Sequence, residues 1–334
     1  CLMEDLIAAK ILWCDGEGRV LPKWNGEKEE APPLFRLLPD VRDAFVRIRV
    51  AGAPESQLWK DPAAWKSFAQ WQRSLATERD WCYIQGRRMA PSHMSPSKLR
   101  HTGDKAKLIS SNDSTNFTYR GRLTAPSEAA VVGFETTHKA HNALKWLIDR
   151  QGYKNGDQVI LAWNPRGLQL PPFLGKSASS LFGAPEPTEA PPVELGEAYA
   201  ARLNKALAGY RASGLEENED IVVLAVDSAT PGRLALTYYR EFKGSEFLQR
   251  IEGWYRSCTY RWYAFDRERG RTSYIAAPTT EDILLAAYGA RADDKIKKQA
   301  TERLLPCILE GARIPEDILL CVVRRAAAPL SMEK

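Results

Sequence analysis

Between Arg87 and Arg122 the chain concentrates side chains that neutralise and bond phosphate. Arg87, Arg88, Lys98, Arg100, Lys105, Lys107, Arg120 and Arg122 stand there against only Asp104 and Asp113, an excess that exceeds the net charge of +5 of all 334 residues. Interleaved are Ser110, Ser111, Asn112, Ser114, Thr115, Asn116 and Thr118, with the aromatic pair Phe117 and Tyr119. Lysine and arginine pair with phosphate, small hydroxyls and amides bond phosphate oxygens or base edges, and aromatic rings stack on bases. A merely solvated basic face would need neither the hydroxyl run nor the rings. Within the set, a lysine ammonium is a point charge that any phosphate satisfies, so Lys105 and Lys107 read as phosphate contacts, as do Arg120 and Arg122, for which bidentate reading of guanine is the alternative. An amide offers a donor and an acceptor in fixed geometry, which makes Asn112 and Asn116 the candidates for reading a base edge.

Competing chemistries find less support. Glu135, His138 and His141 follow an E-x-x-H spacing on one helix, but carboxylate-bridged metal sites need a second such pair from a facing helix. Cys82 with His93 and His101 lacks the C-x-x-C partner of a zinc knuckle. There is no G-x-S-x-G elbow and no P-loop, which argues against an α/β-hydrolase nucleophile and an ATP-driven motor. The basic segment holds two carboxylates where a metal nuclease would cluster several. The expectation is therefore a non-enzyme that binds nucleic acid, with no metal and no cofactor. A metal-dependent nuclease and a purely structural assembly subunit are the alternatives.

The elements that would carry these residues imply an α+β protein of several parts, with β-hairpins, amphipathic helices and a mostly helical C-terminal region. Residues 1–80 form an N-terminal α+β part. Asp15-Gly16-Glu17-Gly18 closes a hairpin between Ile11-Leu12-Trp13-Cys14 and Arg19-Val20-Leu21. The alternation of Ala44 to Val50 reads as a half-buried strand with Arg47 and Arg49 on its wet face. Trp65, Phe68 and Trp71 fall on a helix from Asp61 to Leu75 that would pack them into a core. Residues 81–170 hold the basic segment, a helix from Ser127 to Arg150 ended near Gly152, and a strand at Val159–Trp163. Residues 171–195 are proline-rich and read as a linker or exposed loop. Residues 196–334 read as a scaffold: a helix near Leu195–Ala212, strands at 221–226 and 234–239 joined through Thr230-Pro231-Gly232, a helix at 245–255, and a helical tail interrupted at Gly311 and Pro315.

No apolar run approaches a membrane span and the start lacks the pattern of a signal peptide, so the expected setting is the cytoplasm. Six cysteines lie far apart and read as free thiols. A chain that opens on Cys1 reads as a fragment of a longer protein.

Several stretches together resemble one family. Gly103-Asp104-Lys105-Ala106-Lys107-Leu108-Ile109-Ser110-Ser111-Asn112-Asp113, continued by Asn116-Phe117-Thr118-Tyr119-Arg120-Gly121-Arg122, is similar to the central signature of the large subunit of the type I-C CRISPR surveillance complex, Cascade. So are the helix Thr137-His138-Lys139-Ala140-His141-Asn142-Ala143-Leu144-Lys145-Trp146-Leu147, the stretch Asp227-Ser228-Ala229-Thr230-Pro231-Gly232-Arg233, and Glu246-Phe247-Leu248 with Trp254. The resemblance implies a non-catalytic subunit that assembles with other Cascade subunits on CRISPR RNA and holds the 5′ handle of that RNA. It also implies a part in recognising the PAM of a double-stranded DNA target, and a helicase-nuclease recruited afterwards. Protein would then read duplex edges and shape while RNA pairing reads sequence. The full family protein extends further at both ends, with a helical bundle at its carboxyl end. Where the family often has threonine after its Cys-Tyr pair, this chain has Cys82-Tyr83-Ile84-Gln85-Gly86.

Overall fold

A computed structural model describes residues 2–38, 40–45, 47–110, 131–174, 192–215, 218–230, 232–266 and 270–328. Two compact units form, Cys1–Thr77 and Glu78–Lys334.

The first unit contains α1 (Leu2–Ala8), α2 (Pro33–Leu37) and α3 (Pro62–Leu75). The turn at Asp15–Gly18 forms, with Cys14 bridged to Val20 and the Asp15 carboxylate accepting the amides of Glu17 and Arg19. Two expectations fail here. Of residues 44–50, the described ones, 44–45 and 47–50, build no strand beyond a single bridge from Arg49 to Gln57. The guanidinium groups of Arg47 and Arg49 instead sit 5.4 and 5.8 Å from the Trp59 ring, and Phe45 is left 86% exposed. Helix α3 forms where expected, capped by the Asp61 carboxylate, but Trp65, Phe68 and Trp71 are each more than half exposed. Helical periodicity marks an apolar stripe and says nothing about whether a core covers it.

The second unit is built on one antiparallel sheet of order β5-β6-β7-β8, from β5 (Tyr153–Asn155), β6 (Gln158–Trp163), β7 (Asp220–Thr230) and β8 (Arg233–Lys243). Successive residues of β6 point to opposite faces, and both faces are covered, which is why Val159-Ile160-Leu161-Ala162 reads as an unbroken apolar run. Ile160 and Ala162 join Ile221, Val223 and Ala225 against α5 (Pro192–Ala212), α6 (Gly244–Ser257), α7 (Thr280–Tyr288), α8 (Asp294–Leu309) and α9 (Glu316–Ala326). Val159 and Leu161 join Leu224, Val226 and Leu234 on the opposite face, where Leu99, Ala106 and Ile148 pack on them. The sheet is thus the middle of three layers, with the basic segment itself supplying Leu99 and Ala106 to the outer one. Because β6 pairs with β7 from Val159↔Val226 to Trp163↔Val222, residues 81–170 and 196–334 are not separate bodies. Their common sheet strands lie on either side of the proline-rich stretch, of which 175–191 falls outside the described residues.

The other named strands pair in twos: β1 (Asp80–Cys82) with β2 (Arg87–Met89), β3 (Pro91–Ser92) with β4 (Val132–Gly133), and β9 (Tyr260–Asp266) with β10 (Gly270–Ala276), all antiparallel. Helix α4 spans Phe134–Gln151, so its start is not at Ser127. Val132 and Gly133 are drawn into the ladder with β3, and the Phe134 amide donates to Ala90 O at 2.8 Å. The helical tail is interrupted near Gly311, which is held at φ 71°, and Pro315 precedes α9. Among the described residues no helix is long and apolar enough to cross a membrane.

Candidate nucleic-acid interface

The described part of the basic segment is a loop closed at its own base. Met94 pairs with Ser110 and the Ser95 amide donates to Ile109 O at 2.9 Å. Inside this loop Arg100 and Asp104 form a forked ion pair, with Arg100 Nη2 2.8 Å from Asp104 Oδ1 and Nε 2.9 Å from Oδ2. Their side chains are only 4% and 1% exposed. The same guanidinium donates to Asp157 O at 2.7 Å and lies 3.8 Å from Asp227. The Asp104 carboxylate also accepts the Ala106 amide at 3.0 Å. Burial alone would raise the Asp104 pKa, but hydrogen bonds from Arg100 and the Ala106 amide, with the arginine charge, hold it below its ordinary value. Arg100 is therefore not an exposed cation offered to nucleic acid: it is buried, and its Nε, Nη1 and Nη2 each donate within the fold.

That pair fixes what the loop presents. Lys98 adopts the left-handed conformation (φ 62°) that an L side chain adopts only at a cost. Its amide donates to Asp104 O at 2.8 Å and its side chain is exposed. Lys105 is exposed and Lys107 half-buried, its ammonium 3.3 Å from Met94 Sδ. The Lys107 amide donates to Gly232 O, and the Leu234 amide returns a bond to Lys107 O. This parallel bridge between Lys107 and Arg233 joins two motifs far apart in sequence, 103–113 and 227–233, and sets exposed Arg233 beside Lys107. Asp227 contributes a carboxylate held between Arg100 and Lys298, the latter at 3.7 Å.

Arg87 and Arg88 project from β2, both exposed, in register with Cys82 and Trp81. The Arg88 guanidinium lies 6.0 Å from the Trp81 ring. Beneath the turn the Cys82 thiol is buried. Burial would raise its pKa, yet the amides of Gly133, Gln85 and Ile84 aimed at the sulfur bring it below its ordinary value. The turn they form carries Gly86 at φ 60° and leaves Tyr83 and Ile84 about two-thirds exposed. Trp81, Tyr83 and Ile84 were not among the sequence candidates. The signal was present, as Asp80 to Met89 alternates around a glycine turn and places rings beside arginines.

Ser110 is half-buried at the loop base, while Ser111, Asn112, Asn116, Arg120 and Arg122 lie outside the described residues. The described chain ends at Ser110 against Met94 and resumes at Val131, next to Val132 against Ser92. The described residues flanking that stretch, Ser110 and Val132, thus pair with Met94 and Ser92 of one short strip. Glu135, His138 and His141 do not converge. His141 is buried, its Nδ1 2.7 Å from Thr137 O, and burial lowers its pKa. Among the described residues no three His, Cys, Asp or Glu side chains are grouped to hold a metal.

No curated relative matches the chain. The model of the family CRISPR-associated protein (Cas_Csd1) matches residues 12–333, from the first hairpin to the helical tail and across both basic elements described above. A match over that span, carried by a fold in which the separated motifs touch, places the chain in the CRISPR-associated Cas_Csd1 family.

Proposed function

We propose that the chain is a non-catalytic nucleic-acid-binding large subunit of a type I-C Cascade complex. In this reading it binds CRISPR RNA and PAM-bearing duplex DNA together with other Cascade subunits. The observation that carries it is the bridge that joins Lys107, on the loop that also bears Lys98 and Lys105, to the Arg233 end of the β7–β8 hairpin, in a stretch continued in sequence by asparagine and hydroxyls. Lysines held on a loop cinched by a buried ion pair fit a phosphate track that positions a duplex. Amides in the adjoining segment suit base readout.

Two experiments test the assignment. Alanine at Asn112 or Asn116 should cost the assembled complex about 1–3 kcal/mol on its preferred PAM and less on altered ones. A uniform loss across PAM variants would reduce them to backbone contacts. Incubating the purified chain with single- and double-stranded DNA in Mg²⁺ or Mn²⁺ should leave both intact. Cleavage that co-elutes with the protein and stops on adding EDTA would instead establish a metal-dependent nuclease.

A further inference from the structure

Helix α4 carries a second set of exposed rings that the basic loop does not use. Phe134, His138, Asn142, Trp146 and Arg150 recur at every fourth position, which on an α-helix is one slowly turning stripe, here ~24 Å long. Two close contacts lie along it: the Phe134 and His138 rings, tilted by 40°, have centroids 4.1 Å apart, and the Arg150 guanidinium lies 4.9 Å from the Trp146 ring centroid. Trp146 is 56% exposed and Phe134 41%. The aliphatic residues of the helix turn away, Ile148 being fully buried and Leu144 and Leu147 packing on the core beneath the sheet. Exposed cations flank the stripe: Lys139, whose side chain is 80% exposed and lies 3.9 Å from the Glu135 carboxylate one turn back, and Lys145.

We propose that this stripe is a track for single-stranded nucleic acid, whose bases stack on Trp146 and the Phe134–His138 pair while Lys139, Lys145 and Arg150 meet its phosphates. Stacking is tolerant of sequence because every base has a π-face, and interleaved cations follow the backbone. A protein partner would favour a dry apolar centre depleted of charge, whereas this stripe offers rings bracketed by cations, with only the small Ala140 and Ala143 as exposed aliphatic residues of the helix. Its placement continues the basic surface: the Phe134 amide bonds Ala90 O, immediately after the strand bearing Arg87 and Arg88. At its other end Trp146 and Arg150 line a cleft of about 840 Å³, walled by β6 and the segment through Phe173. The proposal rests on the nucleic-acid-binding reading and extends it to an unpaired strand.

The test measures binding of the assembled complex to a fluorescein-labelled oligo(dT) strand and to a duplex lacking a PAM. Trp146→Ala should weaken oligo(dT) about 10-fold and leave the duplex within about twofold, and Trp146→Phe should retain most of the single-strand affinity. With 5-iodouracil in the strand, photocrosslinks should map to the peptide containing Trp146. Wild-type oligo(dT) affinity in Trp146→Ala, or an equal loss on both probes, overturns the track. If Lys105→Ala with Lys107→Ala still weakens duplex binding in that case, the broader reading stands without it. If the wild-type complex binds neither probe, both fall together.

Discussion

Replacing Asp104 with asparagine destabilises the second unit by about 3–5 kcal/mol, the usual consequence of stranding a buried charge whose partner has been removed. The Arg100 fork is 4% exposed, and Asp227 at 3.8 Å compensates it only in part. The expected observation is a lower urea midpoint with an unchanged slope. Arg100→Met combined with Asp104→Leu should recover part of the loss, because it removes the stranded charge but leaves the Ala106 amide and Asp157 O without the partners they have in the pair. The pH dependence has a definite sign. Since the Asp104 pKa is depressed below 3.8 in the folded protein, its contribution is fully present at neutral pH. It is lost only as pH falls below 3.8 and through the folded value. A midpoint for Asp104→Asn equal to wild type would show that the pair does not hold the loop. The double variant also separates roles: Arg100 gone, stability partly restored, and nucleic-acid affinity kept is the outcome for a structural arginine.

Alanine at Lys98, Lys105 and Lys107 together should lower the affinity of the assembled complex for duplex DNA about 100-fold at 0.15 M salt, about fivefold for each phosphate contact with its released counterion. Stability should change little, because Lys98 and Lys105 are exposed and Lys107 only half-buried, and the backbone bonds of Lys107 to Gly232 and Leu234 survive truncation. Equilibrium binding by fluorescence anisotropy checks the number. An affinity within twofold of wild type would remove the loop from the interface.

Much of this arrangement is legible in the sequence where one physical signal acts alone. The β7–β8 hairpin, the buried run of β6 and the helices of the tail follow from apolar periodicity with turn formers between them. The failures lie where two signals compete or where tertiary contact decides. The alternation of Ala44 to Val50 promises a strand, but Arg47 and Arg49 are drawn onto Trp59. Ser127 looks like a cap, yet Val132 and Gly133 pair with β3 and delay the helix to Phe134. Charge counting treats Arg100 and Asp104 as one more cation and one of two opposing anions. Only the fold shows that they cancel each other in the interior and leave the exposed lysines to face outward. Likewise the contact between the 103–113 and 227–233 motifs depends on a long-range bridge that no local pattern encodes.

The most direct test of the central claim is the salt dependence of duplex binding by the assembled complex, wild type against Lys98→Ala, Lys105→Ala and Lys107→Ala combined. Plotted as log affinity against log salt, the wild-type line should be steep and the variant shallower by about 0.9 for each phosphate contact removed. Parallel lines of equal slope would contradict the assignment of this loop to the nucleic-acid backbone.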